Sequence, residues 1–437
     1  MGGGLRGEAG DSNVLTKLWG LRWWMMGLLM LGAVINYLTR ATLAVAAPSV
    51  LKDLDITTQQ YSWILSAFQF AIMLQPLCGY VMDSIGLKLG FAIFAIAWSF
   101  VSMAHGLANS WQALFGLRAL LGFAEGSANP AGMKATSEWF PAAERGLAGG
   151  FFNMGASLGS MLAAPLVAWA ILTHSWQFAF VFTGVIGLAW VALWLVFYQS
   201  PSKHKALSPG ERDHILSGQE RHLAGEGKPS FGAILGQRNF WGIAIPRFLA
   251  DPTWGTLTFW LPLYLTTVRG FDLKQIAMFA WLPFLAADLG CMFGGTISIA
   301  LQRRGVGLIN ARRAAFTVGA LLMTGVAFVG TVDSPYVAIA LLSLAGFAHQ
   351  TLSVTVITMA SDLFKRSEVA TVAGMAGTCG NAGVLVFSLL MGALVTRIGY
   401  TPFFIGLAAL DLLGAVLLWT LVRERRPDTI AAAAVAR

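Results

Sequence analysis

Charge is scarce in this sequence. Asp, Glu, Lys and Arg together make up 11% of its 437 residues, against roughly 25% in a soluble domain. So few charges cannot cover a water-facing surface, which excludes an ordinary globular protein. Cysteine is rarer still. Cys78, Cys291 and Cys379 fall in three separate apolar stretches, which excludes a disulfide framework and fits small packing residues. There is no glycine-rich phosphate loop, no set of metal ligands and no nucleophile–base pair. ATP-driven work and catalysis therefore have no support, and no enzyme activity, metal or other cofactor is expected. A cleavable signal is not expected either, because the first apolar run is too long and lacks a small-residue cleavage site.

What the chain has in quantity is apolar length. Apolar residues account for 56% of it, in runs long enough for a hydrocarbon core of about 30 Å. Twelve such runs are predicted, over 23–47, 59–82, 86–108, 111–136, 146–172, 177–199, 240–267, 275–301, 313–331, 336–361, 369–395 and 402–422. Backbone groups in lipid must be satisfied within their own segment, so each run is read as a helix. The expected class is an all-α integral membrane protein with the lipid bilayer as its surroundings. Basic residues orient it. With the N-terminus inside, the outer loops hold only Lys52, Arg269, Lys274 and Arg397, and Arg40, Arg118 and Arg247 lie within spans. The rest of the 29 Lys and Arg residues fall on the cytoplasmic side, which puts both termini in the cytoplasm. The net charge of +8 is spread over short loops as topology demands, and needs no nucleic-acid partner.

The longest polar stretch divides the spans six and six. The expected organisation is a cytoplasmic segment 1–22, a bundle 23–199, a cytoplasmic linker 200–238 with some amphipathic helix and a mobile composition, a second bundle 239–423 and a tail 424–437. The bundles resemble each other. LGFAEGSANPAGMKATSEWFPAAERG from Leu121 aligns without gaps to AGFAHQTLSVTVITMASDLFKRSEVA from Ala345. Gly122, Phe123, Ala124, Ser137, Phe140 and Glu144 recur as Gly346, Phe347, Ala348, Ser361, Phe364 and Glu368. Glu138 becomes Asp362, and Glu125 falls opposite His349.

The rare charges inside the spans are the candidates for function. A charge at the bilayer centre costs about 2.5–3.5 kcal/mol on insertion scales, so it persists only with a partner or a task. Arg118 lies about two helical turns before Glu125, so the two are expected to face one interior cavity as a pair. Counting in from the membrane edges at about 1.5 Å per residue places Glu125, Asp251, Asp288, His349 and Asn381 near one depth. Arg40 and Arg118 come somewhat further out, and Arg247 further in. Arg247 and Asp251, spaced i,i+4, are either a structural ion pair or part of the coupling machinery, and Asp288 is a further possible partner for Arg247. His349 is either a hydrogen-bonded core residue or a ligand. Glu138, Glu144, Asp362 and Glu368 are expected to form gating or interhelical pairs. Gly155 and Gly159, and the series Gly374, Gly377, Gly380 and Gly383, mark faces of close helix approach.

These residues carry a family resemblance. Two six-helix halves with a site between them resemble the major facilitator superfamily. The stretch GYVMDSIGLK, with Gly79, Asp83, Gly86 and Lys88, resembles the superfamily's gating loop, whose Asp caps a neighbouring helix and whose basic residues pair across the half. Ser84 and Leu87 stand where two arginines are usual, which implies a weaker latch. NYLTRATLAVAAP over 36–48, GFAE ending at Glu125 and SEWFP ending at Pro141 resemble signatures of its anion:cation symporter group. WGIAIPRFLAD ending at Asp251, ADLGC ending at Cys291 and GFAHQ ending at Gln350 are similar to the bacterial hexuronate transporters, which import glucuronate and galacturonate with protons. Galactonate-type relatives carry an Asp where this chain has Thr39, so Glu125 is expected to be the principal proton site.

The resemblance implies a monomeric carrier in the bacterial inner membrane that takes up a small organic anion, with a proton as coupling ion. Substrate binding is expected from Arg40 first and Arg118 second, since a guanidinium grips a carboxylate bidentately. Tyr37 would offer a ring face and a hydroxyl, and His349, Gln350 and Asn381 would read sugar hydroxyls. Glu125, Asp251 and Asp288 are the proton-coupling candidates. Two other readings stand beside this one: a carrier for another organic anion such as an aldonate, tartrate or an aromatic acid, and a transporter-like sensor that signals through 200–237.

Overall fold

The computed structural model describes residues 20–141, 144–217, 231–364 and 368–423. The expectations for Arg6, Lys17, Arg221, Lys228, Lys365, Arg366, Arg425, Arg426 and Arg437, and for most of the segments 1–22 and 424–437, lie outside these residues. Among the described residues the chain is helical without strands.

Every predicted run is helical among the described residues. We number them α1 (Leu21–Asp53), α2 (Thr58–Ile72 with Gln75–Ile85), α3 (Leu87–His105), α4 (Trp111–Glu125 with Ala128–Trp139), α5 (Arg145–Thr173) and α6 (Trp176–Phe197) in the first half. The second half holds α7 (Arg238–Gly255, Thr256–Trp260 and Leu261–Thr267), α8 (Leu273–Phe279 with Leu282–Arg303), α9 (Leu308–Met323 with Thr324–Phe328), α10 (Pro335–Leu363), α11 (Val369–Ile398) and α12 (Thr401–Leu421). Among the described residues, eight helices are individually long and apolar enough to cross a membrane, or nine if the bent pair in α2 counts as one. The remaining spans are assembled from shorter pieces.

The breaks have local causes. Pro76 opens the second piece of α2, which is bent by 40° against the first. Gly126 and Ser127 interrupt α4 directly after Glu125. α7 carries Pro246 and Pro252 in its interior and a π-helical turn at Thr256–Trp260. Each proline removes an N–H and frees a carbonyl four residues back, which a membrane span tolerates only where neighbouring protein covers the gap.

The helix starts repeat between the halves. Thr57 with Gln60 forms a capping box on α2, and Asp272 with Gln275 forms one on α8. Ser110 accepts from the Ala113 N–H on α4, and Ser334 accepts from the Val337 N–H on α10. These caps satisfy orphan N–H groups at the same points of each half.

Within each half small residues bring helices together. A methyl on Gly159 of α5 would strike the Val34 carbonyl of α1, and one on Gly155 would meet Ala33. On α11, Gly383 closes on the Phe248 carbonyl of α7 and Gly380 on the Asp251 carboxylate, whereas Gly374 faces open space. The glycine faces thus act as expected, apart from Gly374. The halves meet through α1 against the end of α7, α2 against α11, and α5 against α8. Tyr61 Oη donates to the Phe259 carbonyl at 2.7 Å, and a methyl on Gly392 would strike Ser62. These contacts run from the middle of the molecule to the end opposite Leu21 and Leu421.

At the other end, polar pairs tie helices within a half. Arg22, at the start of α1, holds Glu144 at 3.0 Å and Glu211 at 3.0 Å. The Glu211 carboxylate also accepts from the N–H groups of Leu21 and Arg22, capping α1 from the linker. His214 reaches Glu144 at 3.0 Å. The linker helix Pro209–Ser217 is therefore docked on the first half rather than mobile as its composition suggested. Arg312 of α9 pairs with Asp362 of α10 at 3.0 Å, and Tyr198 Oη donates to Glu138. Glu138, Glu144 and Asp362 are interhelical pairs, as expected.

Candidate functional site

The charged centre of the first half is built where α4 stops. Glu125 is the last residue of the first piece of α4, and its backbone carbonyl, left without a helical partner, faces Asn36 Nδ2 at 3.5 Å. The Glu125 side chain is buried and accepts from Thr39 Oγ1 at 2.8 Å and from Arg40 Nε at 3.1 Å. Arg40 also donates through Nη2 to Asn36 Oδ1 at 3.1 Å. Its guanidinium lies 4.3 Å from the Tyr37 ring centroid and 5.2 Å from that of Phe68. Nη1 of Arg40 has no hydrogen-bond partner among the described residues. One face of α1, through Asn36, Tyr37, Thr39 and Arg40, thus surrounds a single buried carboxylate.

This differs from the sequence reading. Arg118 is not the ion-pair partner of Glu125. It is completely buried and donates both Nη1 and Nη2 to the Arg40 backbone carbonyl at 3.2 Å, with Phe68 over its guanidinium. Spacing along α4 put Arg118 and Glu125 on one face, and the two do lie in one buried region. The partner comes instead from α1, which approaches closely enough to supply Arg40 and Thr39. Arg118 therefore fixes the backbone that carries Arg40 and presents no free surface to a ligand. The Tyr37 ring face, expected to meet a sugar, is occupied by Arg40.

The second half has its own charged cluster. Arg247 Nη2 and Asp251 Oδ2 of α7 are 3.1 Å apart, as i,i+4 spacing predicted. α11 accommodates the pair with glycines. Gly377 stands beside the Arg247 guanidinium, and Gly380 leaves room for the Asp251 carboxylate. Gly380→Ala is expected to push that carboxylate aside or drive α11 off α7, lowering stability by about 1–3 kcal/mol, the usual cost of overpacking. Thermal unfolding in detergent checks this, with Gly374→Ala unchanged as the control.

His349, opposite Glu125 in the internal repeat, is buried, hydrogen-bonds the Ala250 backbone and stacks on Trp254 at 5.9 Å. One ring nitrogen, Nδ1, has no partner. Gln350 follows it, half-buried. Asn381 receives a long hydrogen bond from Gln69 Nε2 of α2, at 3.5 Å, so it bridges the halves. Asp288 does not pair with Arg247. It lies at the interface between halves, with Ser157 of α5 as its hydrogen-bond partner.

The loop motif is also placed. Gly86 joins α2 to α3 with φ at 88° and ψ at 151°, a backbone conformation nearly confined to glycine. Asp83 does not cap a helix but pairs with Lys134 of α4, whose ammonium also donates to the Met82 carbonyl at 3.2 Å. Lys88 contributes its carbonyl, which accepts from Trp194 Nε1 at 2.9 Å. Gly79 has only ordinary contact with Pro130.

Sequence reasoning missed Asn36, Gln69 and Asp411. Asn36 entered only as the first residue of the NYLTR stretch, and Gln69 is a single uncharged residue in an apolar run that no motif marks. Asp411 is charged and lies mid-way along α12, so a count of acidic residues inside spans would have found it.

Comparison with known proteins agrees with this architecture. A family model described as Major Facilitator Superfamily matches residues 29–311 and 306–436. The chain is 49% identical over 415 residues to a protein of Escherichia coli K12 named hexuronate transporter, covering 94% of this chain and 96% of that one. It is 52% identical over 331 residues to a galacturonate transporter of Dickeya chrysanthemi, covering 75% and 96% respectively. The fold resembles a crystal structure of a bacterial homologue of the human lysosomal transporter Spinster, with a TM-score of 0.69 at 17% identity over 92% of this chain and 95% of that one.

Proposed function

The chain belongs to the Major Facilitator Superfamily, and from that premise we propose that it imports a hexuronate, such as glucuronate or galacturonate, by proton symport across the bacterial inner membrane. The observation that carries this reading is Arg40. It is a part-buried guanidinium, 13% exposed, braced by an aromatic ring and tied to a carboxylate, with one nitrogen left unengaged. A monoanionic sugar acid presents the carboxylate that such a group binds. Relatives named for hexuronate and galacturonate support that substrate class.

The same geometry supports a route for the coupling. Glu125 and the substrate carboxylate compete for one guanidinium. A proton on Glu125 weakens its hold on Arg40 and leaves a net positive charge for the anion to neutralise. Proton and anion then enter together, so the loaded site crosses the bilayer with the same net charge as the empty site with Glu125 ionised, and no further uncompensated charge is added. No other cofactor takes part.

With both termini in the cytoplasm, contacts at the opposite end correspond to a carrier closed outside and open inside. Alternating access then requires Tyr61–Phe259 and the α2–α11 glycine contacts to part. The carrier works as a monomer, because each chain holds both halves of the site.

Uptake of labelled glucuronate and galacturonate into proteoliposomes under an inward proton gradient tests the proposal. Accumulation that collapses with a protonophore is expected. Uptake of neither acid, with an aldonate or aromatic acid taken up instead, would replace the substrate class; binding with no flux of any acid would favour the sensor.

A further inference from the structure

Two arginines of the first half share one aromatic ring. Phe68 of α2 is buried, and its ring centroid lies 5.2 Å from the Arg40 guanidinium and 5.6 Å from that of Arg118. A ring face attracts a cation through its quadrupole. The backbone at Phe68 has no slack, since a methyl on Gly122 of α4 would strike the Phe68 carbonyl. The same ring also reaches the second half. It meets Phe259 of α7 edge to face, with centroids 6.1 Å apart and planes 63° apart.

Phe259 belongs to the π-helical turn Thr256–Trp260, a rare geometry that recurs at functional positions. α2 holds this turn twice. Phe68 packs on the Phe259 ring. Nearer the start of α2, Tyr61 Oη donates to the Phe259 carbonyl at 2.7 Å, and the Tyr61 ring lies edge to face with Trp260 at 5.5 Å. α1, which carries Arg40, packs against the turn as well. Behind it, Trp260 and Leu261 face Tyr264, Tyr400 and Phe404 across a cavity of only about 10 Å³. A displaced turn has no room to sink into its own half, so it carries that half with it.

We infer that Phe68 is a positioning residue that ties the outside closure to the state of Arg40. The inference rests on Arg40 as the anion site. With Arg40 held by Glu125, the two guanidinium groups and Phe259 grip the ring between them, and Tyr61 stays bonded to Phe259. At 5.2 Å the Arg40 contact is near the limit of about 6 Å for a cation over a ring. A sugar acid that takes Arg40 from a protonated Glu125 draws the guanidinium toward its own carboxylate, and a small shift weakens the contact. Phe68 then loses part of what kept it against Phe259, and the outside closure opens more easily. The coupling is reciprocal: parting Tyr61 from Phe259 alters the hold of Arg40 on the anion by the same factor. Phe68 touches neither proton nor substrate in this scheme and acts through Arg40 and Phe259.

The test compares glucuronate binding by titration with glucuronate counterflow in proteoliposomes, for variants at both ends of the ring contact. Phe68→Leu stays apolar but loses the ring face. Its affinity should remain within about fivefold of wild type, the reach of one cation–π contact, while counterflow falls at least about tenfold. Phe259→Leu should slow counterflow in the same way. The double variant should be no slower than the slower single one, because both remove one contact. Should Phe68→Leu not survive purification, Phe259→Leu reads the contact from α7, with the same split between binding and flux. Unchanged counterflow in either single variant, or losses that multiply in the double variant, would overturn the coupling and leave Arg40 as the anion site. Binding lost in Phe68→Leu as fully as in Arg40→Ala would overturn it too, by making Phe68 part of the anion site. Arg40→Ala binding glucuronate as tightly as the wild type would instead overturn the premise.

Discussion

Replacing Arg40 with alanine is expected to abolish hexuronate binding, with affinity falling by at least about 100-fold. The estimate follows from losing the guanidinium that meets the substrate's carboxylate, a hydrogen bond to a charged group being worth about 1.5–3 kcal/mol; breaking the buried pair with Glu125 costs stability besides, about 3–5 kcal/mol. The side chain holds Glu125 through Nε, Asn36 through Nη2 and the Tyr37 ring through its face. Removing it strips a cation from a buried carboxylate as well as from the ligand. Two further variants separate those effects. Arg40→Lys keeps the charge but loses the planar fork, so binding should recover only in part. Arg40→Ala with Glu125→Gln removes both charges of the pair, so thermal stability should return while binding does not. Scintillation proximity or calorimetric titration with glucuronate reads binding, and melting in detergent reads stability. If the double variant bound glucuronate as tightly as the wild type, Arg40 would be a structural partner of Glu125 only. Arg247 would then be the next candidate for the carboxylate.

The twelve spans were legible because the bilayer imposes a length and forbids unpaired backbone, so composition alone marks each crossing. The same constraint gave Glu125, Asp251, Asp288, His349 and Asn381 an expected common depth. Partners were harder to read. Spacing on α4 correctly put Arg118 and Glu125 in one buried region, but helical periodicity knows nothing of the neighbouring helix. Gly155 and Gly159 let α5 close on α1, and α1 then delivers Arg40 and Thr39 to Glu125. The pair Arg247–Asp251 was legible because both members lie on one helix, where i,i+4 spacing is sufficient. Asp288 went to Ser157 across the halves, a contact between residues far apart in sequence that no local pattern encodes. The docking of Pro209–Ser217 was hidden likewise, since the Arg22–Glu211 contact joins the two ends of the first bundle.

Glu125→Gln is expected to leave binding and substrate exchange intact while eliminating accumulation driven by a proton gradient. Glutamine has nearly the shape of the protonated acid, and its carbonyl oxygen still accepts from Thr39 Oγ1. What it lacks is the charge that competes for Arg40. On the proposed mechanism an ionised Glu125 keeps Arg40 engaged in the wild type, so the anion binds well only once a proton has arrived; in the variant Arg40 is always available. Affinity should therefore become less dependent on pH across the range where the wild type weakens as pH rises. Counterflow of labelled glucuronate against unlabelled should persist at a comparable rate, because the loaded site reorients as before. The empty variant keeps an unneutralised guanidinium, so its return is slow and net uptake fails even with a downhill glucuronate gradient. Thr39→Val tests the supporting hydroxyl: it removes one hydrogen bond to an ionised group, worth about 1.5–3 kcal/mol, and should shift the pH dependence toward easier protonation without abolishing coupling. If Glu125→Gln still concentrated glucuronate against its gradient, the driving proton would travel by another carboxylate. Asp251, paired with Arg247 on α7, and Asp288 would then be the next carboxylates to mutate.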